Sequence, residues 1–370
     1  MSKKNVDPFS DSDSSSEPPS IFSSDNEENS DVDNSVIIND KNTKSDEADI
    51  KYMDEDESSD SESESESKKK SKKSKKSKES KKSVTKKKNN LLVGNRIITE
   101  YILIDANNYH FKTWIECFPD CKVNLKLLLF RPEWFDFFKH VESKTYFPQL
   151  ESKLSSYLEK RQRIVPYPEL LFNTMNVLPP GKIKVVILGQ DPYPGSCISG
   201  VPYAMGCSFS VPLNCPVPKS LANIYTNLIK FNHMRKAPKH GCLASWILQG
   251  TFMINSAFTT VLNESGVHAR TWESFTADLI DYLTDNYNDL IFVAWGAHAH
   301  KLCQRVDPKK HYIITSSHPS PYSVSNTMTS MSYGPNPKKV TYPSFNSVDH
   351  FGKINEHLKS RNKKPIFWDL

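Results

Sequence analysis

The sequence predicts an α/β fold in which a central parallel sheet of four strands is flanked by helices on both faces. Four short runs of β-branched and aliphatic residues are separated by stretches with helical spacing, and each run is unbroken rather than alternating. Unbroken apolar runs are typical of strands buried on both faces. Strands that alternate with helices favour a parallel sheet covered on both sides.

The first 90 residues differ in composition from the rest. Residues 1–90 hold 18 basic and 22 acidic residues, many serines and only short apolar islands. Such a segment buries too little apolar surface to offset its ordering entropy, so we predict a disordered tail. The tail is acidic and serine-rich up to Ser67 and then lysine-rich from Lys68 to Lys88. The lysine tract fits a nuclear-import signal, a DNA-tethering arm or a solvating tail, and its composition does not separate the three.

The remaining 280 residues carry 30 basic and 21 acidic groups, which suits a polyanionic partner, nucleic acid first. The sequence has no run of eighteen apolar residues, so we expect no membrane span, and its polar N-terminus argues against secretion. Seven cysteines are odd in number and show no CxxC spacing. We therefore expect free, mostly buried thiols in a reducing compartment, with neither a disulfide framework nor a zinc site.

The folded part is predicted to comprise an N-terminal extension, 91–131, packed on a core domain, 132–370. Residues 91–129 mix β-branched and aromatic positions, which suggests one or two strands or a packed extension. Two helices are predicted from Pro132 onward by apolar spacing of three to four, and a third from Pro166 to about Met175. Four strands and four further helices are predicted beyond them: strands 183–188, 251–254, 290–295 and 311–315, and helices near 219–232, 271–286, 296–305 and 350–361.

Polar and glycine residues follow the four strands. Asp191, Asn255, Gly296 and His318 each lie at or just after the carboxyl end of one strand. In open α/β sheets these ends share one edge, and ligands bind there. The sequence therefore predicts one cleft that collects all four residues.

Several short motifs resemble those of family-1 uracil-DNA glycosylases, and the resemblance extends from about residue 132 to the C-terminus. They are GQDPYPG at 189–195, CSFS at 207–210, PVPKS at 216–220, FMINSA at 252–257, AWGAHA at 294–299, HPSPYS at 318–323 and the ending KKPIFWDL at 363–370. The resemblance implies the uracil-DNA glycosylase fold and a monomeric, monofunctional DNA N-glycosylase without metal or cofactor. Such an enzyme flips uracil out of single- or double-stranded DNA and hydrolyses its N-glycosidic bond, which initiates base excision repair.

The resemblance also implies roles for the residues of the cleft. Breaking a glycosidic bond needs a carboxylate near C1′ and a way to stabilise the departing base anion. Asp191 is the candidate carboxylate, and His318 the donor to uracil O2. Asn255 would read N3–H and O4, and Gln190 would add backbone contacts. Phe209 would stack on the base, and Tyr193 would exclude the thymine methyl group.

A second set of residues is implied to hold the DNA backbone. Prolines flank the serines of these loops and so limit the loop entropy that is lost on binding. Small hydroxyl groups and backbone amides suit phosphate binding. Tyr322 would act as the wedge that enters the base stack. The DNA-binding candidates are Pro218, Ser220, Gly296, Ala297, Ser320, Pro321, Tyr322 and Ser323.

The chain departs from the family pattern at several positions. Pro194 stands where many relatives have His, Ala297 where a Ser is common, and Tyr322 where Leu is usual. Residues 326–345 form a polar insertion that is either an added DNA contact or a surface loop. These departures keep a rival hypothesis open, a replication accessory protein of the same fold with vestigial catalysis. We expect the chain to work in a nucleus or at a cytoplasmic site of viral DNA replication, and its tail to bind replication or repair proteins.

Overall fold

The computed structural model describes residues 103–108 and 111–370, so the predicted tail and the start of the extension lie outside the described residues. Its strands are β1 (Ile164–Val165), β2 (Val185–Gly189), β3 (Thr251–Asn255), β4 (Thr260–Val261), β5 (Ile291–Trp295), β6 (Tyr312–Ser316), β7 (Met328–Met331) and β8 (Lys339–Tyr342). The order β3-β2-β5-β6 forms a parallel four-stranded sheet. The predicted fold class is confirmed.

Helices connect these strands and cover the sheet. The α-helices are α1 (Trp114–Cys117), α2 (Phe135–Glu142), α3 (Tyr146–Glu159), α4 (Asn173–Val177), α5 (Lys219–Lys230), α6 (Ala244–Leu248), α7 (Ala269–Asn286), α8 (Gly296–Cys303) and α9 (His350–Ser360). Short 3-10 helices lie at Ala106–Asn108, Leu125–Leu128, Pro132–Trp134, Pro168–Leu170, Pro180–Lys182 and Phe345–Ser347.

The hydrophobic core lies on both sides of the central strands. Every residue of β2 and of β5 is buried, as expected for inner strands covered by helices on both faces. An aromatic group supports β3 from one side: the Trp134 ring stacks on Phe252 at 5.4 Å, and Phe137 meets Phe275 edge to face at 5.4 Å. The sheet is therefore a rigid platform for the loops at its carboxyl edge.

The described part of the N-terminal extension fits the second of its two suggested forms, a packed extension, rather than strands. Its described residues form short helices, and its one β-bridge there joins Asp105 to Leu213. Trp114, Leu125 and Leu128 are buried in the same core as the sheet, so tertiary packing decides their backbone conformation. The helix predicted after Pro166 is also broken, into a 3-10 turn and α4, and the Asn173 side chain at the start of α4 donates to the Met205 carbonyl at 2.7 Å.

The expectation that all cysteines are free is wrong for one pair. Cys197 and Cys215 form a disulfide with their Cα atoms 5.4 Å apart. The other five cysteines form no disulfide, and four of them are buried. The pair joins a loop after β2 to the segment before α5. No short-range spacing in the sequence predicts that these two cysteines meet.

The polar insertion is a β-hairpin rather than an irregular loop. Strands β7 and β8 pair antiparallel, with Met328 opposite Tyr342 and Met331 opposite Lys339. Within the described ranges no helix is long and apolar enough to cross a membrane. The same residues contain no group of three or more His, Cys, Asp or Glu side chains arranged to hold a metal ion.

Candidate active site

A small cavity lies at the carboxyl edge of the sheet, where the predicted cleft was expected. Its volume is about 150 Å³. Ordinary ligand pockets occupy about 300 to 1,000 Å³, so a single planar ring is the size of ligand that this cavity admits. Seven of the predicted residues line it: Gln190, Asp191, Tyr193, Phe209, Ser220, Asn255 and His318.

The Asp191 carboxylate is held by a loop that the sequence did not single out. Its Oδ2 accepts a hydrogen bond from the Ser265 hydroxyl at 2.6 Å and another from the Gly266 N–H at 2.7 Å. Asn263 to Gly266 carry turn-forming residues, but no chemical motif marks them as functional. Ser265 also lines the cavity, so the site contains a polar residue that sequence reasoning missed.

His318 enters the cavity as a neutral ring with a defined tautomer. Burial lowers the pKa of His318 to about 4, and the nearby Asp191 carboxylate opposes that effect by favouring the cation. Its Nδ1 accepts a hydrogen bond from the Ser320 N–H at 3.0 Å. A neutral imidazole that accepts at Nδ1 carries its proton on Nε2, which is therefore the donor.

Gly296 makes room for this ring. Its φ is +86°, a conformation that favours glycine, and a Cβ at this position would lie 2.9 Å from the Cβ of His318. The glycine that directly follows β5 therefore allows the His318 loop to lie against the sheet.

Asn255 ends β3 beside Gly189 of β2, with its side chain in the cavity. A Cβ on Gly189 would collide with the Asn255 amide oxygen, so this close approach requires glycine. Among the described residues, none forms a hydrogen bond with the Asn255 amide. It therefore presents a donor and an acceptor to whatever occupies the cavity.

Two aromatic residues shape the cavity. Phe209 has a φ of +61°, which is unusual for a bulky residue, and its ring lies 5.6 Å from Trp295 and 6.0 Å from His318. Tyr193 packs against a small apolar cluster that contains Cys197 and Cys215. Burial raises the pKa of Tyr193, and its buried hydroxyl has no hydrogen-bond partner within the described part of the chain.

The other predicted residues lie at the starts of two helices and on the loop after His318. Pro218 and Trp295 are the N-caps of α5 and α8, and neither supplies a side-chain cap, so among the described residues the backbone N–H groups at both helix starts lack side-chain partners. Ala297, in the first turn of α8, is exposed.

Serine hydrogen bonds hold the His318 loop in shape. The Ser320 and Ser323 hydroxyls are 2.9 Å apart, and the Ser323 carbonyl accepts from the Ser317 hydroxyl at 2.8 Å. Pro321 and Tyr322 complete this turn, and Tyr322 is 91% exposed. The loop therefore projects one large aromatic side chain into solvent.

A one-ring cavity with a free amide, an oriented carboxylate and a neutral imidazole donor defines the class of enzymes that remove a base by cleaving its glycosidic bond. The model of the uracil DNA glycosylase superfamily matches residues 175–359. The chain belongs to this superfamily. Its activity is the release of uracil from DNA by hydrolysis of the N-glycosidic bond.

Relatives of the chain include viral and bacterial proteins. The chain is 99% identical over 370 residues, the full length of both proteins, to a probable uracil-DNA glycosylase of Acanthamoeba polyphaga mimivirus. It is 36% identical to the uracil-DNA glycosylase of Psychromonas ingrahamii over 64% of this chain and 99% of that protein. The crystal structure of mimivirus uracil-DNA glycosylase matches with a TM-score of 0.74 at 99% identity, over 75% of this chain and all of that one.

A second solved structure is the Y322L variant of mimivirus UNG in complex with UGI. It matches with a TM-score of 0.73 at 98% identity, over 73% of this chain and all of that one.

Proposed function

We propose that Asp191 and His318 carry the chemistry of uracil release in this chain. As the bond between C1′ and N1 breaks, its electron pair leaves with the uracil and the sugar becomes cationic. The Asp191 carboxylate stabilises this cation and orients the water that adds to C1′. His318 donates from Nε2 to uracil O2 as negative charge grows there, and its neutral form suffices for that role. The proton released by the added water balances the uracil anion.

Asn255 reads the base. Its amide has no partner among the described residues, so its oxygen can accept from N3–H while its nitrogen donates to O4. Cytosine presents the opposite polarity at both positions and would leave buried groups unpaired, which is costly. Phe209 supplies the stacking surface, and backbone groups of Gln190 add contacts at the edge of the ring.

The DNA backbone is held at the cavity mouth. The uncapped starts of α5 and α8 offer backbone N–H groups, which favour phosphate oxygens. Pro218, Ser220, Gly296 and Ala297 belong to these two ends. Ser320, Pro321 and Ser323 hold the third loop, from which Tyr322 enters the base stack as the base leaves.

The single observation that supports these roles is the convergence of Asp191, Asn255 and His318 on one cavity sized for one ring. It also argues against vestigial catalysis, because the groups to which we assign the reaction line the same cavity. The test is Asp191→Asn, assayed for uracil release from single- and double-stranded oligonucleotides. We expect release to fall by roughly a thousandfold or more while DNA affinity stays within about twofold. Release at the parent rate would remove Asp191 from the mechanism.

We also propose a place of work and partners for the chain. Its near identity to a viral protein supports action at a site of viral DNA replication, with a nucleus as the alternative. The protein is proposed to act as a monomer whose tail tethers DNA or replication and repair proteins.

Removing residues 1–90 should weaken salt-sensitive DNA affinity and leave base selectivity intact.

A further inference from the structure

We infer that Ser265 is a positioning residue for the reaction: it fixes the orientation of the Asp191 carboxylate. This inference rests on the proposed role of Asp191. It starts from the two hydrogen bonds at one carboxylate oxygen, 2.6 Å from the Ser265 hydroxyl and 2.7 Å from the Gly266 N–H. Hydrogen bonds to a charged acceptor are the strong ones, and two on one oxygen set the rotamer of the side chain.

The second carboxylate oxygen is left for the substrate. Among the described residues no donor reaches Oδ1 of Asp191, while both Asp191 and Ser265 line the cavity. With Oδ2 engaged by the loop, Oδ1 is the oxygen available to the water and to the sugar cation. Preorganisation of this kind costs no rearrangement during the reaction.

The loop that carries Ser265 is hydrogen-bonded to the catalytic loop, residues 189–195, which carries Asp191. The Asn263 N–H donates to the Pro194 carbonyl at 2.8 Å, and the Leu262 N–H donates to the Arg163 carbonyl at 2.7 Å. On the far side the His268 ring bonds to the Thr259 hydroxyl at 2.8 Å. The segment is therefore held at both ends, and a hydroxyl on it is a fixed donor.

Pro194 explains why this donor matters in this chain. A proline at that position offers neither a side-chain donor nor an N–H, so the catalytic loop cannot orient its own carboxylate from there. The donors to Asp191 come instead from residues 74 and 75 positions downstream in the sequence.

The test is Ser265→Ala in the full chain, with single-turnover uracil release and steady-state kinetics measured on the same oligonucleotide. We expect kcat to fall about tenfold while KM stays within about twofold, because the Gly266 donor remains and substrate binding is unaffected. Ser265→Thr keeps the hydroxyl and should restore most of the rate. Ser245→Ala, the same chemical change at an exposed serine of α6 outside the cavity, is the matched control.

A double-mutant cycle shows whether Ser265 acts through Asp191. In an Asp191→Asn background, adding Ser265→Ala should cost no further rate; an additive loss would overturn the inference. A parental kcat for Ser265→Ala, or a change in KM alone, would overturn it as well. Full activity of Asp191→Asn would instead overturn the proposed function, so the two failures are distinguishable.

Discussion

At the scale of single residues, the site depends on groups whose hydrogen-bonding state is set by their neighbours. The Ser320 N–H holds Nδ1 of His318, so the ring needs no change of tautomer to donate from Nε2. Phe209 keeps an unfavourable φ of +61°, a cost of about 1 kcal/mol or more that the surrounding packing has to offset. Backbone strain of this kind clusters at ligand sites, which is consistent with the stacking role that we propose for Phe209.

Tyr193→Ala tests base discrimination. Removing the ring opens the wall of the cavity where the thymine methyl group would lie, so we expect measurable thymine release and slower uracil release. Tyr193→Phe keeps the ring and should still reject thymine. The measurement compares release from matched thymine- and uracil-containing oligonucleotides, and unchanged thymine rejection by the alanine variant would refute the steric role.

At the scale of secondary structure elements, the hairpin of β7 and β8 packs on α8 instead of standing free. Its Ser330 hydroxyl contacts His300 Nδ1 at 3.1 Å, and its Tyr333 hydroxyl meets the Thr315 hydroxyl at 2.5 Å. Rings of Tyr333 and Tyr342 lie 4.8 and 5.0 Å from the His300 ring. The hairpin therefore braces α8 and β6, the two elements next to the His318 loop.

Substitutions at Tyr333 test this bracing role, and a double lysine variant tests DNA contact. Tyr333→Ala should destabilise the fold by about 2 kcal/mol, because it removes a ring packed on His300, and Tyr333→Phe should cost less. Lys338→Ala combined with Lys339→Ala should leave KM and its salt dependence nearly unchanged, since both lysines lie at the turn end of the hairpin, whereas the chain enters the hairpin from the Tyr322 loop at its other end. Thermal unfolding and salt-dependent kinetics check these results; a large loss of DNA affinity in the lysine variant would favour the DNA-contact hypothesis.

At the scale of the whole molecule, buried neutral histidines make stability depend on pH. Burial lowers the pKa of His268 to about 4 and of His350 to about 3, and neither residue is exposed. In the unfolded chain both titrate near about 6.5, so on acidification the unfolded state takes up protons first. Their contribution to stability is complete above about pH 6.5 and is lost progressively as the pH falls toward 4.

Thermal unfolding of the full chain between pH 7.5 and about 4.5 checks this prediction. We expect the melting temperature to fall on the acid side of about pH 6.5, with up to about 1.4 kcal/mol per pH unit from each buried histidine. His268→Asn removes one of the buried histidines, so it should lower stability at neutral pH but flatten the pH dependence. A variant slope equal to that of the parent protein would contradict the assignment.

Much of this architecture could be predicted from local patterns. Unbroken apolar runs located β2, β3, β5 and β6 to within two residues, because strands of a parallel sheet covered by helices carry nearly continuous apolar residues. Because parallel strands end at the same edge of a sheet, the shared edge of Asp191, Asn255 and His318 could be predicted before any of their contacts was known. The predicted elements differ from the structure in the N-terminal extension and around the short α4, where tertiary packing overrides local propensity.

By itself, the sequence determined the sheet, the order of its loops and the residue types that those loops carry, since these follow from short-range periodicity and turn chemistry. Only the tertiary structure decided that Ser265 and Gly266 hold the Asp191 carboxylate, that Cys197 meets Cys215 and that the insertion folds onto α8. These contacts join segments far apart along the chain. Their formation depends on how loops of particular length approach in space, which no local pattern encodes.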